Sequence, residues 1–190
     1  MTSFINPACV NDYLVIKTKK ATTDSVTFRL NSSVLDKLES RAEQQKTSLN
    51  VLVNQILSGY VEWEMDSAKA GWVPTQRSIL VNLMEHIDED AILNMAEKAA
   101  ESSSKDSILY MHGKYNVDSL LTNIRLSSQR SGFNIKEYGG EESLELMIQH
   151  DLGWKWSLFL KHYYQRIFHD LKQRVVFDYT DTSLVISLVE

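Results

Sequence analysis

The sequence predicts an α+β protein in two parts: an N-terminal strand–helix–helix module and a C-terminal α+β domain with a mainly antiparallel sheet. Three observations carry this expectation. Residues 25–30 alternate strictly between apolar and polar, as a half-buried strand does. The two runs that follow repeat apolar residues every three or four positions, as amphipathic helices do. Beyond residue 130, short strand-like runs flank one long helical stripe, a pattern of segregated helices and antiparallel strands.

Residues 1–23 read as a basic arm, with Lys17, Lys19 and Lys20 close together and a short strand expected at 13–16. Residues 24–64 form the module. In its strand, Val26, Phe28 and Leu30 share one face and Ser25, Thr27 and Arg29 the other. Six residues cannot make a stable sheet alone, so this strand needs a partner. No hairpin signal follows it. Asn31-Ser32-Ser33 looks like a helix start, with Ser33 and Asp36 spaced as a capping box. The first helix is expected over 33–45, with Val34, Leu35, Leu38 and Ala42 as its apolar stripe. Lys46-Thr47-Ser48 interrupts it, and Thr47 or Ser48 can cap a second helix. That helix carries Leu49, Leu52, Val53, Ile56, Leu57 and Tyr60 on one face. Its polar start leaves backbone N–H groups to meet an anion such as a phosphate.

Residues 65–75 read as a linker, broken by Gly71 and Pro74. Residues 76–190 form the second domain. Helices are expected over 76–87, 88–100 and 117–129, with Asp88, Glu89 and Asp90 as charges at a helix start. A strand at 133–138 precedes a Gly139-Gly140 turn, and Leu144, Leu146 and Ile148 alternate in the next strand. Trp156, Phe159, Leu160, Tyr163, Ile167 and Leu171 mark a helix, and 175–179 and 184–188 close the chain as two strands.

The composition bounds the function. With 43% hydrophobic and 24% charged residues, the chain reads as an ordinary globular protein. No apolar run is long enough to span a bilayer, and residues 1–10 lack the pattern of a secretory signal, so a cytoplasmic location is expected. Cys9 is the one cysteine and cannot form an internal disulfide. The net charge of -5 is unevenly spread. Residues 1–62 hold seven Lys/Arg against six Asp/Glu, whereas 63–190 hold thirteen against nineteen. The acidity is therefore C-terminal, and a local basic footprint near the N-terminus remains open to nucleic acid.

SVTFRL, VLDKLESRAEQQ and TSLNVLVNQIL, in that order and spacing, resemble the ribbon-helix-helix family of Arc-, MetJ- and CopG-like proteins over residues 25–61. The resemblance implies a homodimer in which two protomers pair their strands antiparallel and insert the ribbon into the major groove of double-stranded DNA. Ser25, Thr27 and Arg29 would face base edges; Thr47, Ser48, Asn50 and the arm lysines Lys17, Lys19 and Lys20 would contact phosphate. A sequence-specific transcriptional regulator, a repressor or an activator, is the function implied. Lys46 stands where many members carry glycine, which implies that the turn closes differently here.

The C-terminal domain is expected to sense a small-molecule effector or to add oligomer contacts. His150, His162 and His169 could meet at a metal, but no ligand pattern supports one and no cofactor is expected. The aromatic run Trp154, Trp156, Phe159, Tyr163, Tyr164 and Phe168 reads as core, or as the wall of an apolar ligand pocket against the sheet. No phosphate loop, nucleophile elbow or zinc-protease motif is present, so catalysis is not expected. Two rival readings remain: an antitoxin-like protein-interaction module, and a ligand-binding α+β protein whose N-terminal module only dimerises.

Overall fold

The computed structural model describes residues 23–140 and 143–189. The chain divides into two compact units, Met1–Leu49 and Asn50–Glu190. The lysine arm, Lys17, Lys19 and Lys20, and the strand expected at 13–16 lie outside the described residues.

In the first unit, residues 23–31 run without regular hydrogen-bonded structure into α1, Ser32–Gln44. The helix is capped by extended Asn31, whose carbonyl accepts from the N–H groups of Val34 and Leu35. Ser33 already lies inside the helix, so the expected Ser33–Asp36 capping box is not formed. The exit of α1 also differs from expectation. Lys46 takes a left-handed backbone with φ 51°. Its N–H donates to the Glu43 carbonyl, and that of Thr47 to the Ala42 carbonyl, both at 3.0 Å. This is the closure a glycine would make. The lysine therefore does not change the turn; it adopts the glycine conformation and bears the strain of its Cβ.

The second unit begins with α2, Leu49–Gly59, which continues through a π-helical turn, Tyr60–Glu64, into a last α-turn, Met65–Ser67. The Arg130 guanidinium lies against Gly59, where it would have to shift to admit a Cβ. Arg130 also stands 3.5 Å from Glu64. The expected linker is partly helical. Left-handed Gly71 closes it, and Trp72 folds back with its ring 4.9 Å from that of Trp63. Then come α3 (Arg77–Glu85) and α4 (Glu89–Ala99), a second π-helical turn (Ala100–Ser104), α5 (Lys105–His112) and α6 (Val117–Arg130). Asp88 caps α4 by accepting from the Ala91 N–H at 2.8 Å, as its sequence position suggests.

The sheet follows: β1 (Asn134–Gly140), β2 (Ser143–Gln149), the long helix α7 (Trp154–Asp170), β3 (Val175–Tyr179) and β4 (Ser183–Leu188). The strand order is β1-β2-β4-β3, every pair antiparallel, which bears out the expected antiparallel α+β domain. Gly139 and Gly140 do not form the turn. They pair with Leu144 and Ser143 as the last residues of β1.

One sheet face is apolar. Leu146 and Ile148 of β2 and Leu184 and Ile186 of β4 are fully buried against Leu120 and Ile124 of α6 and Ile167 and Phe168 of α7. Each such side chain stabilises the fold by about 1.5–3 kcal/mol. The α7 face toward the sheet is filled by core, so the aromatic run builds structure there. Trp156, Phe159 and Tyr163 stack in series, at 5.3 and 5.9 Å between centroids. Burial pushes the Tyr163 hydroxyl up to about 12. At the sheet edge, Glu137 of β1 shares the inward face, since it pairs with Leu146. Arg125 of α6 meets its carboxylate through two hydrogen bonds, at 2.6 and 2.9 Å. That guanidinium holds the Glu137 carboxyl below its usual range.

Candidate nucleic-acid interface

Ser25, Thr27 and Arg29 lie on the extended approach to α1, and all three are exposed. Their apolar neighbours are exposed as well: Val26 by 69%, Phe28 by 63% and Leu30 by 49%. The segment therefore keeps its strand-like pattern but has no ladder among the described residues. A half-buried strand ordinarily hides such a face, because each exposed aromatic or branched side chain forgoes about 1.5–3 kcal/mol of burial.

Thr47, Ser48 and Asn50 sit where the turn enters α2. Thr47 is half-buried, and its backbone N–H is committed to the Ala42 carbonyl. Only its hydroxyl can meet a phosphate, which corrects the expectation of an open N–H at this position. Asn50 accepts from the Asn54 amide through its carbonyl, at 2.8 Å, and through its Oδ1, at 3.2 Å. Its own side-chain NH2 then points its donors elsewhere, the polarity a phosphate needs. Ser25, Thr27 and Arg29 thus precede α1, Thr47 and Ser48 lie in the turn that ends the first unit, and Asn50 lies on α2 in the second.

The helices around this region also expose apolar side chains. Val34 of α1 is open in the first unit; in the second, Ile56, Leu57, Tyr60 and Val61 are open along α2 and its π turn. Scattered exposed apolar residues are normal, but a stripe on one helix marks an interaction surface.

A second polar constellation competes for attention. His150 is fully buried, with Nε2 at 2.8 Å from Ser157 Oγ. The pair resembles a base and its nucleophile. The hydrogen bonds exclude that role. Leu152 N–H donates to His150 Nδ1 at 3.0 Å, so the proton of the neutral ring is on Nε2. Nε2–H donates to Ser157, and the Ser157 hydroxyl donates to the Thr180 carbonyl at 2.5 Å. The imidazole has no lone pair to offer the serine. Burial lowers its pKa to about 4, opposed by nearby Asp151 and helped by Arg77. The chain of bonds ties β2, α7 and the β3–β4 turn together. With both ring nitrogens engaged, His150 cannot join His162 and His169 at a metal.

Sequence reasoning did not single out Ser157 and Thr180, although a signal existed for the histidine: His150 continues the inward phase of Leu146 and Ile148 by two residues. Compared with known proteins, the chain matches no family model and no curated sequence.

Proposed function

We propose that the chain is a homodimeric, sequence-specific DNA-binding regulator of the ribbon-helix-helix kind. The observation that carries this reading is the open segment at residues 25–30: a strand pattern with no ladder among the described residues and with Val26, Phe28 and Leu30 exposed. A second copy supplies what is missing. Two such segments pair antiparallel across a two-fold axis, and their apolar faces turn onto the helices of the dimer. The opposite face then presents Ser25, Thr27 and Arg29 to the major groove, where arginine can read guanine through two hydrogen bonds. Thr47 through its hydroxyl, Ser48 and Asn50 position the ribbon on phosphates, and Lys17, Lys19 and Lys20 add charge from the arm. The folded sheet domain sets the chain apart from antitoxins that present a flexible tail to a toxin.

Selection of bound sites from a random duplex library tests the proposal. The expected result is a two-fold motif bound with a steep salt dependence. Arg29→Ala should then cost about 1–3 kcal/mol at the selected site and little elsewhere. Binding that is indifferent to sequence would overturn the regulator reading and leave the module a dimerisation device.

A further inference from the structure

The sheet of the Asn50–Glu190 unit has a second face that its core does not use. Leu146, Ile148, Leu184 and Ile186 point to one side, under α6 and α7. The residues between them point to the other. There Tyr138 is 50% exposed and Val176 60%, and neither they nor Met147 and Val185 belong to a buried cluster.

This open face carries an ordered row of charge. In register across the strands, Lys136 of β1 stands beside Met147 of β2, then Val185 of β4, then Asp178 of β3. The row reads cation, apolar, apolar, anion. Its charged ends lie on the two outermost strands, three strand spacings or about 14 Å apart, so they cannot meet within one chain. Both are exposed, and neither stands in an ion pair among the described residues. Asp178 accepts from the Tyr179 N–H at 2.8 Å, a bond that leaves its charge uncompensated.

We propose that this face packs on the same face of a second copy of the chain, across a two-fold axis running along the strands between β2 and β4. Such an axis turns the row end for end. Lys136 of each copy then meets Asp178 of the other, and Met147 meets Val185. The next row obeys the same axis, for Tyr138 comes over Val176. Stacked sheets lie about 10 Å apart, a gap that a lysine stem and an aspartate span together. Glu145 is the one charge beside the axis, where the Ser187 hydroxyl donates to it at 3.3 Å. A four-stranded face is small, so the contact is of the weak, concentration-dependent class. It uses none of residues 25–30 and does not depend on the regulator reading.

The full chain is treated at rising concentration with a carbodiimide, which joins an amine to a carboxylate in direct contact. Mass spectrometry then counts Lys136–Asp178 cross-links. Given their separation in one chain, this bond forms only between chains, so its yield reads the sheet contact apart from any pairing of residues 25–30. The yield should rise with concentration. Lys136→Glu and Asp178→Lys should each weaken the association about ten-fold in sedimentation, because like charges then meet at two symmetric contacts. An equimolar mixture of the two variants should restore it, since every contact across the axis again joins opposite charges. Absence of the cross-link, single variants that associate as the parent does, or a mixture no tighter than its parts would each overturn the proposal. So would a cross-link from Lys136 to an acid of the Met1–Leu49 unit, or amide shifts on this face that need duplex DNA, for either gives the face another occupant.

Discussion

Two six-residue stretches of this chain are nearly interchangeable on paper. SVTFRL at 25–30 and SLVISL at 183–188 both place branched or aromatic residues at alternate positions. Their fates differ completely. The second is β4, paired on both sides, with Leu184 and Ile186 fully buried. The first has no ladder among the described residues and exposes its apolar side chains. Alternation therefore marks a segment suited to pairing, not whether or where it pairs. β4 finds β2 and β3 within the chain, because α7 returns it to the sheet. Residues 25–30 run directly into α1 and form no ladder among the described residues.

The comparison can be broken hardest at the self-sufficient end. His150 is neutral when folded, with a pKa of about 4 against an ordinary 6.5. As pH falls below the ordinary value, the unfolded chain takes up the proton and the folded chain does not. Stability contributed by the neutral ring is thus complete above about pH 6.5 and is lost progressively toward pH 4, in total about 3 kcal/mol. Urea unfolding from pH 7 to pH 4 should show this slope, and His150→Asn, which does not titrate, should flatten it. An unchanged slope in the variant would place the acid sensitivity in other groups.

The dependent end is broken differently. Phe28→Ser should leave the thermal unfolding of the sheet unit unaltered yet weaken self-association by about 2 kcal/mol per strand, the value of one buried aromatic side chain. Sedimentation over a concentration series measures this. A dimer of undiminished affinity would show that the segment contributes nothing to it. The smallest effect sharpens the picture at the turn between α1 and α2. Lys46→Gly should raise thermal stability by up to about 1 kcal/mol, because glycine holds a left-handed φ without strain. Lower stability in the variant would mean that the lysine stem repays its strain by packing.

Much of the C-terminal architecture was legible because its signals are local. The alternation of Leu144, Leu146 and Ile148, the stripe from Trp156 to Leu171 and the acidic start at Asp88 each describe their own element. What was illegible depends on neighbours. α5 has a single buried residue, Ile108, and is preceded by serines, two of which bond back to carbonyls four residues earlier: Ser102 to Lys98 and Ser104 to Ala100. That composition announces a loop. The π turns at 60–64 and 100–104 widen the backbone by one residue without changing any propensity that a sequence displays. Gly139 and Gly140 carry a turn composition but pair with Leu144 and Ser143 of β2, with Gly139 at φ 99°. At the candidate interface, the residue types were legible and whether residues 25–30 pair was not, for a ladder needs a second strand.

The salt-bridged Glu137 has a consequence for behaviour at high concentration. The outer rim of β1 is the natural place for a foreign chain to add a strand and start a fibril. An incoming strand there would have to cover a carboxylate–guanidinium pair that depends on water at its open side. The far rim is guarded as well, since the Asp178 side chain of β3 already occupies the Tyr179 N–H at 2.8 Å. Strand addition is therefore disfavoured at these two places, Glu137 of β1 and Tyr179 of β3.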